Sequence, residues 1–356
     1  MKTEVTPVAT LRLDEFNMKR DTYRRAGLEA IDRGEIALLL LAGGMGTRLG
    51  YDGPKGTYPI EADRSIFACL FDNLREEIGD RSIPFFVMTS DKNDEATRVF
   101  FKEKNYFGYD PSQICFYRQE MAQATDFDGA PLYEDVNVPA TSPNGNGGFF
   151  KSLIKAGYRK KLEGVRWLNV FGVDNVLAKI ADPEFIGALI CEGKHAGVKA
   201  VMKTGPDEKV GVVCARNGRP SVIDYTQMTE EMCNERDADG NLVYAAGVTV
   251  NYLFDTSILL STLDEGLPVH KVEKKIPYLA DIHGRPWRLG SEPGEHMEPS
   301  EPNGYKYEIM ITDLIEDFPD FLPVEVEREK EFAPVKNLHG VDSVDSAREL
   351  LKRNGK

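Results

Sequence analysis

The 356-residue sequence predicts an α/β protein, a doubly wound and mostly parallel sheet carrying a mixed β extension. Three observations lead to that expectation. Apolar runs of strand length alternate with amphipathic segments of helix length through the first half of the chain. The run Ile36-Ala-Leu-Leu-Leu-Leu41 is wholly apolar, as a parallel strand covered on both faces must be. It opens directly into a glycine-rich loop, and ligands of such sheets sit beyond the carboxyl ends of the strands.

Taken in order, Leu13, Phe16, Tyr23, Leu28 and Ile31 among many charges predict an amphipathic helix over about Asp14–Arg33, ending near Gly34. After the Ile36 run, Ser65 is placed to cap a helix through Ile78. Pro84–Thr89 reads as a strand, Asp94–Lys104 as a helix and Gln113–Arg118 as another strand. A long polar loop then reaches Gly148, followed by a helix near Phe149–Leu162. The next strand, Trp167–Val173, ends at Asp174-Asn175. From Lys199 onward, short β-rich runs separated by Gly, Pro and Asn predict the mixed extension, and Gly340–Lys356 reads as one amphipathic terminal helix. The Glu325–Glu331 charge run reads as a solvated strand edge or helix face.

The chemistry concentrates in Leu41-Ala-Gly-Gly-Met-Gly-Thr-Arg-Leu-Gly50 and the following Gly53-Pro-Lys-Gly56. Gly43, Gly44 and Gly46 let the backbone approach an anion and turn its N–H groups toward it, and Thr47 lies in the same loop. Arg48 and Lys55 add positive charge, which makes the loop a candidate triphosphate site. Two commoner motifs are excluded. The dinucleotide fingerprint fails at Leu49, where a third glycine is needed, and the P-loop fails because Lys55 precedes its glycine. A turn that merely packs a strand against a helix is the competing explanation.

Composition narrows the partners. With 44 basic and 58 acidic side chains the formal charge is −14, which argues against nucleic acid and against an anionic membrane surface. A few converging cations still suffice for a small anion. The five cysteines are scattered without C-x-x-C spacing, the start has no apolar h-region and no run reaches membrane-spanning length, so reduced thiols and a cytoplasmic address are expected. No protein partner is inferred. The five histidines lack H-E-x-x-H spacing, and neither a G-x-S-x-G elbow nor a kinase motif set is present.

The glycine loop with Pro54-Lys55 resembles the signature of the UDP-sugar pyrophosphorylases, most closely their UDP-N-acetylhexosamine branch. Further matching segments follow in the same order, among them Met88-Thr-Ser90, Gly145-Asn-Gly-Gly148, Val173-Asp-Asn175, Lys274-Lys-Ile-Pro-Tyr278, Pro302-Asn-Gly304 and Glu331-Phe-Ala-Pro-Val-Lys-Asn337. The matches span about Ile36 to Asn337. The resemblance implies a Rossmann-like sheet of the nucleotide-diphospho-sugar transferase (GT-A-like) type. It divides the chain into an N-terminal helical segment over 1–35, a catalytic nucleotidyltransferase domain over 36–340 and a C-terminal helix over 341–356, with no separate C-terminal domain.

The implied reaction is UTP plus a sugar 1-phosphate giving a UDP-sugar plus diphosphate, by in-line attack on the α-phosphorus with Mg2+ (or Mn2+). On this resemblance Arg48 holds the β- and γ-phosphates, Lys55 neutralises charge at the α-phosphate, and Lys336 is a second phosphate lysine, with a surface loop lysine as its alternative. Asp174 is the expected metal ligand, an N-cap being the bland alternative. Gln119, Gly145 and Asn146 would receive the uracil, while Asp224, Tyr225 and Asn251 fall on the sugar side. Departures concentrate there. Asn144, Asp224 and Ala245-Ala-Gly-Val248 differ from the N-acetylhexosamine pattern, and Met310 and Thr312 stand where aromatics line the acetamido region. N-acetylglucosamine 1-phosphate or a plain hexose 1-phosphate (glucose or galactose) is therefore the expected sugar substrate. A non-catalytic nucleotide-sugar sensor on the same fold is the alternative.

Overall fold

The computed structural model describes residues 4–264 and 266–356, so residues 1–3 of the expected N-terminal segment lie outside the described residues. Its centre is a ten-stranded sheet. The Ile36–Leu41 strand runs between Trp167–Gly172 and Phe85–Thr89, and Ile114–Arg118 lies outside Phe85–Thr89. All three of these pairings are parallel. Their carboxyl ends therefore share one edge, where the glycine loop and Asp174 emerge.

The mostly parallel expectation fails on the other side of Trp167–Gly172. The ten-residue strand Ala246–Asp255 pairs antiparallel with Trp167–Gly172, with Ala196–Met202 and with Val212–Arg216. Val212–Arg216 is also antiparallel to Arg219–Ile223 and Val5–Pro7, while Leu322–Glu325, beside Ala196–Met202, restores a parallel pair. One of these pairs has a local cause: Asn217 and Gly218, both at positive φ (51° and 79°), make the two-residue hairpin turn that joins Val212–Arg216 to Arg219–Ile223.

Each face of the sheet has its own core. Leu38, Leu40, Val87 and Phe171 pack with the helices Arg20–Asp32, Ile66–Ile78, Pro183–Cys191 and Val344–Arg353. Leu39, Leu41, Met88 and Val170 pack with Phe149–Lys155 and Ile311–Leu314. Ser65 caps its helix, the Oγ accepting from the Ala68 N–H at 3.2 Å. The expected first helix is broken at Lys19 into Leu13–Met18 and Arg20–Asp32. The expected Phe149–Leu162 helix stops at Lys155, and after Gly157 at φ 89° the chain resumes as a 3-10 turn.

The stretch expected as polar loop up to Gly148 is largely a second, small β lobe. Met121–Gln123, Thr125–Asp126 and Thr141–Pro143 become strands by pairing with one another and with Gly304–Glu308, itself paired to His270–Lys274. Ala124, Leu132, Ala140 and Ile276 form its core.

Arg20–Asp32 crosses Pro183–Cys191 at main-chain contact. A Cβ on Gly27 would lie 1.9 Å from the Pro183 carbonyl oxygen, and one on Gly187 would lie 1.7 Å from that of Tyr23. Gly27→Ala must therefore separate two helices packed against the sheet. We expect it to cost about 1–3 kcal/mol, read as a lower urea midpoint in equilibrium unfolding.

Candidate active site

The glycine loop is pinned by its carbonyls. Asn93 Nδ2 donates to the Ala42 and Gly44 carbonyls at 2.9 and 3.1 Å, and Ser90 Oγ donates to Gly43 at 2.8 Å. Both clamps are buried at the end of the neighbouring Phe85–Thr89 strand. With its carbonyls turned back into the fold, the loop leaves the N–H groups of Gly43, Gly44, Met45 and Thr47 without a partner among the described residues. That is the polarity an anion needs. Gly46 differs, because its N–H donates to Gly53 at 2.8 Å. Its contribution is room for the Tyr51 ring, which a Cβ would approach to 2.8 Å.

Lys55 sits on a short 3-10 turn, Lys55–Thr57, whose main chain is tied to the loop through the Lys55 N–H to Gly44 at 3.1 Å. Phe67 lies flat under Gly56 and holds the turn against the core. Lys55 Nζ stands 3.8 Å from Asp174 Oδ2. Asp174 is no N-cap, since the following helix, Pro183–Cys191, is capped by Asp182. The Lys336 side chain is partly exposed, but the segment that carries it is tied to the fold. Val335 donates its N–H to the Asp174 carbonyl at 2.9 Å and Val176 donates to Ala333 at 3.3 Å, so the segment carrying Lys336 lies strand-like against the Asp174 turn. Asn175 clamps the same junction, its Nδ2 donating to Glu331 at 2.7 Å and its Oδ1 accepting from Ala333 at 2.9 Å.

The three cations occupy different surroundings. Arg48 is exposed and makes no ion pair among the described residues, Lys336 pairs with Asp342 at 2.9 Å, and Lys55 is largely buried. Burial pushes the Lys55 ammonium below its ordinary 10.5; Asp174 opposes that fall, while Lys336 and Arg48 deepen it. Lys55 thus feels both other cations, and the charges share one field. Among the described residues no group of three or more His, Cys, Asp or Glu side chains is arranged to hold a metal. Asp174 offers one carboxylate, which fits a hard divalent cation that takes its remaining oxygens from phosphates and water.

Among the residues expected to receive uracil, the Gln119 side chain lies against Gly43, where a Cβ would come within 2.4 Å of its Nε2, and that side-chain amide has no protein hydrogen bond among the described residues. Gly145 has φ 73° and its Cα faces the Ile309 carbonyl, to which a Cβ would approach within 2.2 Å. The Asn146 Oδ1 accepts from the Ile311 N–H at 3.0 Å, so that oxygen is committed to the fold.

The expectation for the sugar-side residues requires a correction at Asn251. Asn251 is 2% exposed, its Oδ1 accepts from Asn169 Nδ2 at 2.8 Å and its Nδ2 donates to the Lys179 carbonyl at 3.0 Å. A side chain satisfied at both ends inside the sheet is structural and does not reach a ligand. Asp224 and Tyr225 form an exposed turn after Arg219–Ile223, three strands from Trp167–Gly172, where the Asp224 Oδ1 accepts from Thr226. Ser90 and Asn175 belong to segments that carry the resemblance, but their clamping role, like that of Asn93, has as its sequence signal only a polar residue within a few positions of the end of a buried apolar strand.

A family model described as UTP–glucose-1-phosphate uridylyltransferase matches residues 5–282. The chain is 38% identical to the UDP-N-acetylglucosamine pyrophosphorylase of Saccharomyces cerevisiae, over 95% of this chain and 72% of that protein. It is 35% identical to the Homo sapiens UDP-N-acetylhexosamine pyrophosphorylase-like protein 1, over 93% of this chain and 67% of that one. The crystal structure of the Trypanosoma brucei uridine diphosphate N-acetylglucosamine pyrophosphorylase in complex with inhibitor superposes with a TM-score of 0.82 at 29% identity, covering 98% of this chain and 72% of the other.

The depressed Lys55 ammonium has a signed consequence for stability. Its folded-state value lies below the unfolded 10.5, so its burial costs stability in full at low pH and the cost fades as pH rises from the folded value toward 10.5. Lys55→Met should therefore melt above wild type at neutral pH, with the gap narrowing as the melts are repeated at increasing pH.

Proposed function

The chain belongs to the UTP–glucose-1-phosphate uridylyltransferase family, and we propose that it transfers the uridylyl group of UTP to a sugar 1-phosphate with release of diphosphate. The observation that carries this reading is the junction of Lys55, Asp174 and the Lys336 segment beside a loop of free amides. A sugar phosphate oxygen attacks the α-phosphorus in line as the bond to the departing diphosphate breaks. Two polyanions must meet, so the protein's task is alignment and charge neutralisation.

In this reading Arg48 and the amides of Gly43, Gly44 and Thr47 hold the departing phosphates. Lys55 and Lys336 balance charge at the α-phosphate and on the incoming phosphate. Gln119 and the main chain at Gly145 receive the uracil. Asp174 would hold Mg2+ (or Mn2+), which supplies further neutralisation of the phosphates. The fold is of the nucleotide-diphospho-sugar transferase type in this reading, and the address is the cytoplasm; no helix among the described residues is long and apolar enough to cross a membrane.

The relatives' names point to N-acetylglucosamine 1-phosphate as the sugar. Val248 and Met310 widen the proposed class to plain hexose 1-phosphates, because these two side chains offer no hydrogen bond that would select an acetamido group.

Diphosphate release from UTP and Mg2+ should be measured with glucose, galactose, N-acetylglucosamine and N-acetylgalactosamine 1-phosphates in parallel. Turnover with one or two of them is the expected result. Silence across all four while Mg·UTP still binds would overturn the assignment. Within the active pair of substrates, Lys55→Ala should lower kcat/KM by about 100-fold or more. A variant with near wild-type turnover would remove Lys55 from the reaction.

A further inference from the structure

Lys336 is held by one residue in two ways. Its Nζ lies 2.9 Å from the Asp342 carboxylate, and its own N–H donates to the Asp342 carbonyl at 2.7 Å. The Asn337 N–H donates to the same carbonyl at 3.1 Å, and Asn337 Nδ2 donates to Val341 at 3.3 Å. Asp342 makes this double hold at φ 52°, a left-handed conformation that Asp reaches more readily than most L-residues and that its surroundings maintain. The surroundings are visible. Ser343 follows at once as the N-cap of the helix Val344–Arg353, its Oγ accepting from Ser346 and donating to Gly340. Val344, Ala347 and Leu351 of that helix are fully buried in the core shared with the Ile36–Leu41 strand.

We propose that Asp342 is a positioning residue for the uridylyl transfer, fixing the Lys336 ammonium beside the Asp174 turn before the anions arrive. The inference rests on the function proposed above. An ammonium has three donors and Asp342 takes one, so two remain for phosphate oxygens while the first sets the direction of the stem. A free lysine would sample many rotamers and have to be ordered during each turnover. Asp342 removes that step and ties the reacting group to the hydrophobic core through the terminal helix.

The decisive experiment is a double-mutant cycle. Asp342→Asn keeps the size, the carbonyl and the tolerance for left-handed φ while removing the charge; Asp342→Gly, free of backbone strain at this φ, serves if the first variant folds poorly. In the Lys336 background we expect kcat to fall about tenfold with KM for UTP within about threefold and an unchanged melting temperature. In a Lys336→Ala background the same substitution should have no further effect on kcat. An equal fall in both backgrounds would make Asp342 merely structural, and an Asp342→Asn enzyme matching wild type would overturn the inference outright. A wild-type chain inactive with every sugar 1-phosphate overturns the underlying function, and this assignment with it.

Discussion

The arrangement hangs on the ammonium of Lys199. It is 2% exposed and lies 2.5 Å from both Asp182 and Glu331. Asp182 is also the N-cap of Pro183–Cys191, and the Glu331 main chain is the anchor that Asn175 grips beside Asp174. One buried cation therefore joins a sheet strand, the start of a helix and the segment that delivers Lys336. Removing one partner of such a pair leaves an uncompensated buried charge, typically a loss of about 3–5 kcal/mol. The surplus of carboxylates around it is felt nearby: burial, then the proximity of Asp182, pushes Glu77 up to about 7.

What could be read from the chain in advance followed from how local each signal is. The Ile36 strand, the Ser65 cap and the glycine loop are set by neighbours within a few residues, and they stand where expected. The clamp residues, the Asn251 environment and the small β lobe depend on partners far along the chain. Asn251 is satisfied by Asn169 and Lys179, which no sequence pattern links to it. Glu331 reads as a solvated charge until Lys199 is seen against it, and the expectation of an exposed run there was wrong for that residue. The antiparallel turn of the sheet was legible in principle, since Asn217-Gly218 is a hairpin signal, but its consequence for strand direction required the register.

The chain is acidic overall, formally −14, yet its cations gather at one edge of the sheet. It concentrates three cations in unlike settings: one open to water, one tethered by a carboxylate, one pressed into the fold. The buried ammonium is the least comfortable, repelled by the other two and shielded from solvent.

The junction that Asn175 closes has a consequence in time. Lys336 stands 281 residues after Lys55 (336 − 55), so at a synthesis rate of about 5–20 residues per second it appears on the order of half a minute later. Until Glu331 has been made, Lys199 lacks one of its two carboxylates and the Asp174 turn lacks the strand that braces it. The glycine loop and its clamps are complete long before then. A growing chain can therefore complete the glycine loop and its clamps early, while the electrostatic closure of the core around Lys199 waits for Glu331, about 130 residues further along (331 − 199).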